Sequence, residues 1–162
     1  MKMDELKGFS LDYIQLQEYQ PNRYPFLMID YVEEVIPGKY ARGYKNLSNN
    51  EWFFPIHFPG HPNMPGVLQI EAMSQMLTVA VTTIEGNKGK VAHGLEIDNV
   101  KFKKEVVPGD KLIIEASLLS YRRGIAKGSA VCYTNGEVCS SADFVICLPE
   151  VLEQYKPRRV QK

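Results

Sequence analysis

At 162 residues the chain has the length of one domain, enough to bury a sizeable core. Its apolar fraction of 44% and charged fraction of 23% are those of an ordinary globular chain. Nineteen Lys and Arg against nineteen Asp and Glu leave no net charge, so global charge gives no reason to expect nucleic acid or an anionic membrane as partner.

The chain opens on a charged run, Met1 to Lys7, with no apolar stretch of the kind a secretory leader needs. Residues 11–19 carry a short helical pattern in Leu11, Ile14, Leu16 and Tyr19, stopped by Pro21. Phe26 to Ile36 is rich in β-branched and aromatic residues and reads as a strand. Pro37-Gly38 is a turn, and Lys39 to Asn46 is the returning strand. Asn49 to Pro65 is a loop. The only long helix follows, from about Pro65 to Ile84, with Gly86 beyond its end. Val67, Ile70, Met73, Leu77, Val81 and Ile84 recur on it at helical spacing. Leu68, Glu71, Gln75, Thr78 and Thr82 form a second, partly polar stripe, so most of the circumference is uncharged, as in a buried helix. Polar residues interrupt it too often for a membrane span.

Four more strands are expected, over Val91–Phe102, Lys111–Tyr121, Ile125–Thr134 and Glu137–Leu148. Asn135-Gly136 is a strong hairpin turn between the last two, and in its simplest register Cys132 lies opposite Cys139. Three cysteines without metal-type spacing read as reduced thiols packed as small hydrophobes. The tail, 149–162, is polar and ends in a basic stretch. The order is that of one α+β domain whose antiparallel sheet wraps a long helix. With neither a leader pattern nor a span pattern, a cytoplasmic location is expected by default.

The segment from His57 to Glu71 concentrates the chemistry. His57 sits on a Pro- and Gly-rich loop beside Phe53, Phe54 and Phe58, and imidazole is the natural general base near neutral pH. Gly66 lies in the first turn of the helix, where N–H groups lack intrahelical partners and suit a developing oxyanion. Glu71 lies five residues further on among apolar neighbours, where burial favours a protonated carboxyl able to donate a proton or hold a water. Singly, such a Glu can pair with an Arg, and such a His can satisfy backbone carbonyls. Jointly they fit proton abstraction beside a carbonyl, then loss of a leaving group, with no cofactor. His57 and His61 are i,i+4 but on a Pro-broken loop without a third ligand, so no metal site is expected. His61 reads as shaping the loop, and His93 as strand or tunnel wall.

At these residues the chain resembles the glutamate-bearing (3R)-3-hydroxyacyl-[acyl-carrier-protein] dehydratases of bacterial fatty acid synthesis, over about residues 20–148. The resemblance rests on Arg23-Tyr-Pro-Phe-Leu27, Asn50-Glu-Trp-Phe-Phe54, His57-Phe-Pro-Gly-His-Pro62, Met64-Pro-Gly-Val-Leu68 and Glu71-Ala72. Further along it rests on Phe102-Lys-Lys104, Val107-Pro-Gly-Asp110 and Arg123-Gly-Ile125. It implies the hotdog fold, and a dimer, usually three dimers in a hexamer, with His57 from one subunit meeting Glu71 from the other. It implies that His57 removes the C2 proton, Glu71 assists departure of the C3 hydroxyl, and the Gly66 N–H polarises the thioester carbonyl. The acyl chain would run down an apolar tunnel, and Glu71, where double-bond-isomerising relatives carry Asp, implies dehydration alone.

Two positions depart from the family pattern: Pro55-Ile56 stands where Gly precedes the histidine, and Asn22 stands where His precedes the arginine. They bear on substrate range and catalytic strength rather than on the fold. The acidic acyl carrier protein is the implied partner. Between Asn99 and Gly128 seven Lys and Arg face three acidic residues, a run suited to steering it. Two other readings stand beside this one: a hotdog thioesterase, and a weakly active or non-catalytic subunit.

Overall fold

The computed structural model describes residues 7–157; the charged start of the chain and the end of the basic tail lie outside the described residues. The elements run β1 Phe9–Leu11, α1 Tyr13–Leu16, β2 Tyr31–Ile36, β3 Tyr40–Asn46, α2 Gly66–Thr82, β4 His93–Phe102, β5 Lys111–Arg122, β6 Ile125–Thr134, β7 Glu137–Cys147 and α3 Pro149–Glu153. All strands join one antiparallel sheet in the order β1-β2-β3-β5-β6-β7-β4. α2 packs across β2, β3, β5, β6 and β7, which is the expected α+β arrangement of a sheet around a long helix. Only the β3–β5 ladder runs without a register shift, and the bulges in the other pairings add the local twist that curves a sheet.

Two-residue alternation puts Leu112, Ile114 and Ala116 of β5, and Ala126, Gly128, Ala130 and Cys132 of β6, on the inner side. The small residues matter because they let the helix approach. A Cβ on Gly128 would stand 2.5 Å from Leu77 Cδ1, and one on Gly43 would stand 2.2 Å from the Tyr31 carbonyl oxygen and 2.9 Å from Met76 Cε. Met73, Met76, Leu77 and Ala80 are fully buried against this floor.

The structure corrects several sequence-based expectations. The first helical pattern is split: Leu11 belongs to β1, and α1 starts behind Asp12. The Asp12 carboxylate accepts from the Gln15 N–H at 2.8 Å, while the Gln15 side chain accepts from the Asp12 N–H, a capping box. The strand expected from Phe26 begins only at Tyr31, because the Met28 N–H goes to the Gln75 side chain instead of a ladder partner. Cys132 pairs with Ser140 rather than Cys139, since β7 carries an extra residue there and both Cys139 and Ser140 point inward. All three cysteines are free and buried. The polar tail opens with a short helix, α3, docked through the Leu148 N–H on the Gly124 carbonyl. Val67, read as part of the buried stripe, is 71% exposed.

Candidate active site

The loop before α2 is held at both ends. Phe53 and Phe54 are buried and meet edge to face at 4.8 Å. Glu51 and the mostly buried Lys45 of β3 form an ion pair at 3.0 Å. At the far end Met64 is buried, and its N–H donates to the Val106 carbonyl at 2.7 Å. Between these anchors His57 is half-buried. Its Nδ1 lies 3.0 Å from the Asn63 carbonyl oxygen, and the Asn63 N–H returns to the His57 carbonyl at 2.9 Å. A carbonyl can only accept, so this contact assigns the proton to Nδ1 and leaves Nε2 with the free lone pair. The Phe58 ring stacks on the imidazole at 4.2 Å. His61 bonds Glu105 at 2.9 Å and exchanges backbone bonds with Phe58, so it shapes the loop as read from sequence.

Pro65 caps α2, and the Leu68 and Gln69 N–H groups both turn back to its carbonyl. The Gly66 N–H has no partner among the described residues. Phe102, at the end of β4, lies against this glycine: a Cβ there would stand 2.7 Å from the ring. Gly66, Asn63, Met64, Gln69 and Phe102 line a cavity of about 560 Å³.

Glu71 is half-buried rather than enclosed. Its Oε1 accepts from Gln75 Nε2 at 2.8 Å. That amide is fully engaged, since it also donates to the Phe26 carbonyl and accepts the Met28 N–H. Glu71 opens on a second cavity, which adjoins the first at Ile70 and has Gln20, Asn22, Ser74, Thr78 and Ile97 in its walls. Five residues turn a helix by about 500°, so Gly66 and Glu71 point about 140° apart. Asn63 thus bonds His57 and also lines the Gly66 cavity, whereas Glu71 lines the cavity beside it.

Asn63 and Gln75 escape a reading based on side-chain chemistry. Asn63 acts through its carbonyl, which leaves no trace in sequence, although the i,i+4 spacing of Glu71 and Gln75 was readable. The two positions that depart from the family pattern are exposed or paired: Ile56 is 65% exposed, and Asn22 accepts from Gln20 Nε2 at 2.6 Å. His93 opens β4 opposite Cys147 and is exposed.

The basic run does not form one patch. Lys103 and Lys104 border the Gly66 cavity and Lys111 lies over the Tyr44 ring, whereas Arg122, Arg123 and Lys127 gather with Tyr155 at the other end of β5. A strand of that length separates the groups by on the order of 35 Å. Burial pushes the Cys132 thiol from 9.0 up to about 12, which makes it inert at neutral pH. No cluster of three or more potential metal-ligating side chains occurs among the described residues.

A family model described as a FabA-like domain matches residues 20–143. The 3-hydroxyacyl-[acyl-carrier-protein] dehydratase FabZ of Bacillus licheniformis is 47% identical over 143 residues, covering 88% of this chain and 99% of that protein. FabZ of Bacillus subtilis is 45% identical over 140 residues, covering 86% and 99%. Among solved structures, the dehydratase heterocomplex ApeI:P from Xenorhabdus doucetiae aligns with a TM-score of 0.73 at 18% identity, over 86% of this chain and 95% of that one. A hypothetical thioesterase from Streptococcus pneumoniae, solved with coenzyme A, aligns with a TM-score of 0.58 at 14% identity, over 72% and 83%. At such identities these structural likenesses speak for the fold alone.

Proposed function

The chain belongs to the FabA-like family, and from that premise we propose that it converts (3R)-3-hydroxyacyl-[acyl-carrier-protein] to trans-2-enoyl-[acyl-carrier-protein] in fatty acid biosynthesis. It is a hydro-lyase with the hotdog fold. The observation that carries the reading is 45–47% identity to FabZ dehydratases over 99% of their length, combined with a histidine whose Nε2 lone pair is left free by the Asn63 carbonyl.

In the proposed reaction His57 Nε2 takes the C2 proton of the thioester. The Gly66 N–H and the positive end of α2 stabilise the charge that develops on the carbonyl oxygen. The electron pair forms the C2=C3 bond as the C3–O bond breaks. Glu71 gives its proton to the departing hydroxyl, which leaves as water, and the proton on His57 returns to Glu71 through solvent. His57 and Gly66 act from one subunit and Glu71 from its partner in a homodimer, with three dimers making a hexamer. What supports the shared site is the separation of Glu71 from the Gly66 cavity within one chain, together with the state of β4. All ten residues of this edge strand are exposed, although Ile97 and Phe102 pair with the inward-facing Phe144 and Ser140. The face of β4 that should cover a core thus extends past its own helix. Ile97 and Phe102, 51% and 53% exposed, are apolar surface for a second copy.

We place the whole reading in one domain, with its core at about 20–148, in the cytoplasm. Among the described residues no helix is long and apolar enough to cross a membrane. The test is incubation with a 3-hydroxyacyl thioester, following enoyl absorbance and free thiol. Enoyl product without free thiol is expected. Free thiol without enoyl product would establish a thioesterase instead, and no turnover across chain lengths would establish a non-catalytic subunit.

A further inference from the structure

Gln69 lies one turn into α2 and is 4% exposed. Its Nε2 donates to the Met64 carbonyl at 3.2 Å, so the side chain reaches back along the helix toward the N-terminus that carries Gly66. Its Oε1 is buried and accepts no hydrogen bond from the described residues. A buried amide oxygen without a donor costs free energy on the order of a lost hydrogen bond, so its retention calls for a partner that arrives later. Gln69 lines the same cavity as Gly66, Asn63 and Phe102. Two residues in the wall of this cavity therefore carry unmatched groups: Gly66, whose N–H is a donor, and Gln69, whose Oε1 is an acceptor.

We infer that Gln69 Oε1 binds the first amide N–H of the pantetheine arm of the thioester substrate. This assignment rests on the dehydratase reading, which places the thioester carbonyl at the Gly66 N–H. The substrate has two hydrogen-bond donors near the reacting carbons. The 3-hydroxyl is committed to Glu71. The other is the amide N–H, joined to sulfur by two methylene groups. The Gln69 amide turns back to the Met64 carbonyl, so it and the Gly66 N–H both stand at the N-terminal end of α2. A carbonyl held by the donor and an amide held by the acceptor fix the thioester on both sides of sulfur, and so orient C2 toward His57. Gln69 is thus an arm-binding and positioning residue, distinct from the groups that move protons.

The test compares wild type with Gln69→Met, which keeps the volume and removes the acceptor. Two substrates with the same 3-hydroxyacyl group are used: the N-acetylcysteamine thioester, which has the amide, and the S-butyl thioester, which lacks it. For the amide-bearing substrate kcat/KM is expected to fall about tenfold, carried mainly by KM. For the S-butyl substrate it is expected to stay within about twofold. Equal losses on both substrates would show a structural role for Gln69, and no loss on either would show no contact; each overturns the assignment. Calorimetric binding of butyryl-pantetheine, which has no 3-hydroxyl to eliminate, reads the contact without turnover. Weaker binding to Gln69→Met with no dehydration by wild type would sink the dehydratase reading and leave the arm site standing. Equal affinity for both proteins would remove the arm site whatever the activity.

Discussion

Single atoms decide the reactivity of His57. Its Nδ1 is committed to the Asn63 carbonyl, so the proposed base is Nε2, and His57→Ala removes it. His57→Ala is expected to lower turnover by roughly 10²–10⁴-fold while the thermal midpoint stays near wild type, since the loop remains anchored by Phe53, Phe54 and Met64. Near-normal turnover would reject the assignment. Cys132 gives a residue-scale prediction of another kind. Burial raises its thiol from 9.0 to about 12, so in that window the folded chain holds a proton that the unfolded chain has released. Its contribution is constant below pH 9, and stability falls as pH rises from there toward 12. Urea unfolding between pH 8 and 10.5 should show this decline, and Cys132→Ala should show a shallower one.

Elements are positioned by what their residues lack as much as by what they carry. Gly43 and Gly128 leave room for α2 to sit on the sheet. A methyl group at Gly43 meets a backbone oxygen, which cannot swing aside, so Gly43→Ala is expected to cost about 2–3 kcal/mol and lower Tm by on the order of 5–10 °C. The glycine at 66 differs, because its neighbour is the tip of the exposed Phe102 ring, which has space to move. β4 is the exposed edge strand proposed to meet a second copy of the chain. A charge on its apolar face should oppose assembly: Ile97→Lys is expected to shift the protein from dimer or larger to monomer in light scattering and to abolish activity with it. A monomer that retains full turnover would break the link between assembly and the site.

Gly66 and Glu71 point about 140° apart around α2, and the prediction at this scale concerns two chains. His57→Ala and Glu71→Gln are each expected to be inactive. After random subunit exchange, half of the dimers are mixed and each has one intact site, so about a quarter of wild-type activity should return. Exchange confirmed by mass spectrometry, with no recovery, would mean that each site is built within a single chain. The split of the basic run has a similar lesson. Residues close in sequence, Lys111 and Arg122, stand at opposite ends of β5, so the run is two local fields rather than one.

Sequence alone determined the α+β class, the long helix, the antiparallel strands and the His57–Gly66–Glu71 segment, because periodicity, turn residues and close spacing are local properties. It also held the family likeness, since the motifs that carry it are contiguous. Tertiary structure decided what depends on contacts between distant residues. The bulge that sets Cys132 opposite Ser140, the Gln75 amide that takes Met28 out of the sheet, and the backbone carbonyl that fixes the His57 tautomer have no local signal. The helical rotation between Gly66 and Glu71 was calculable from spacing, but its consequence was not. Only the packed fold shows that the two residues open on different cavities, with β4 left bare beside them, because burial is a property of the assembled surface rather than of any stretch of chain.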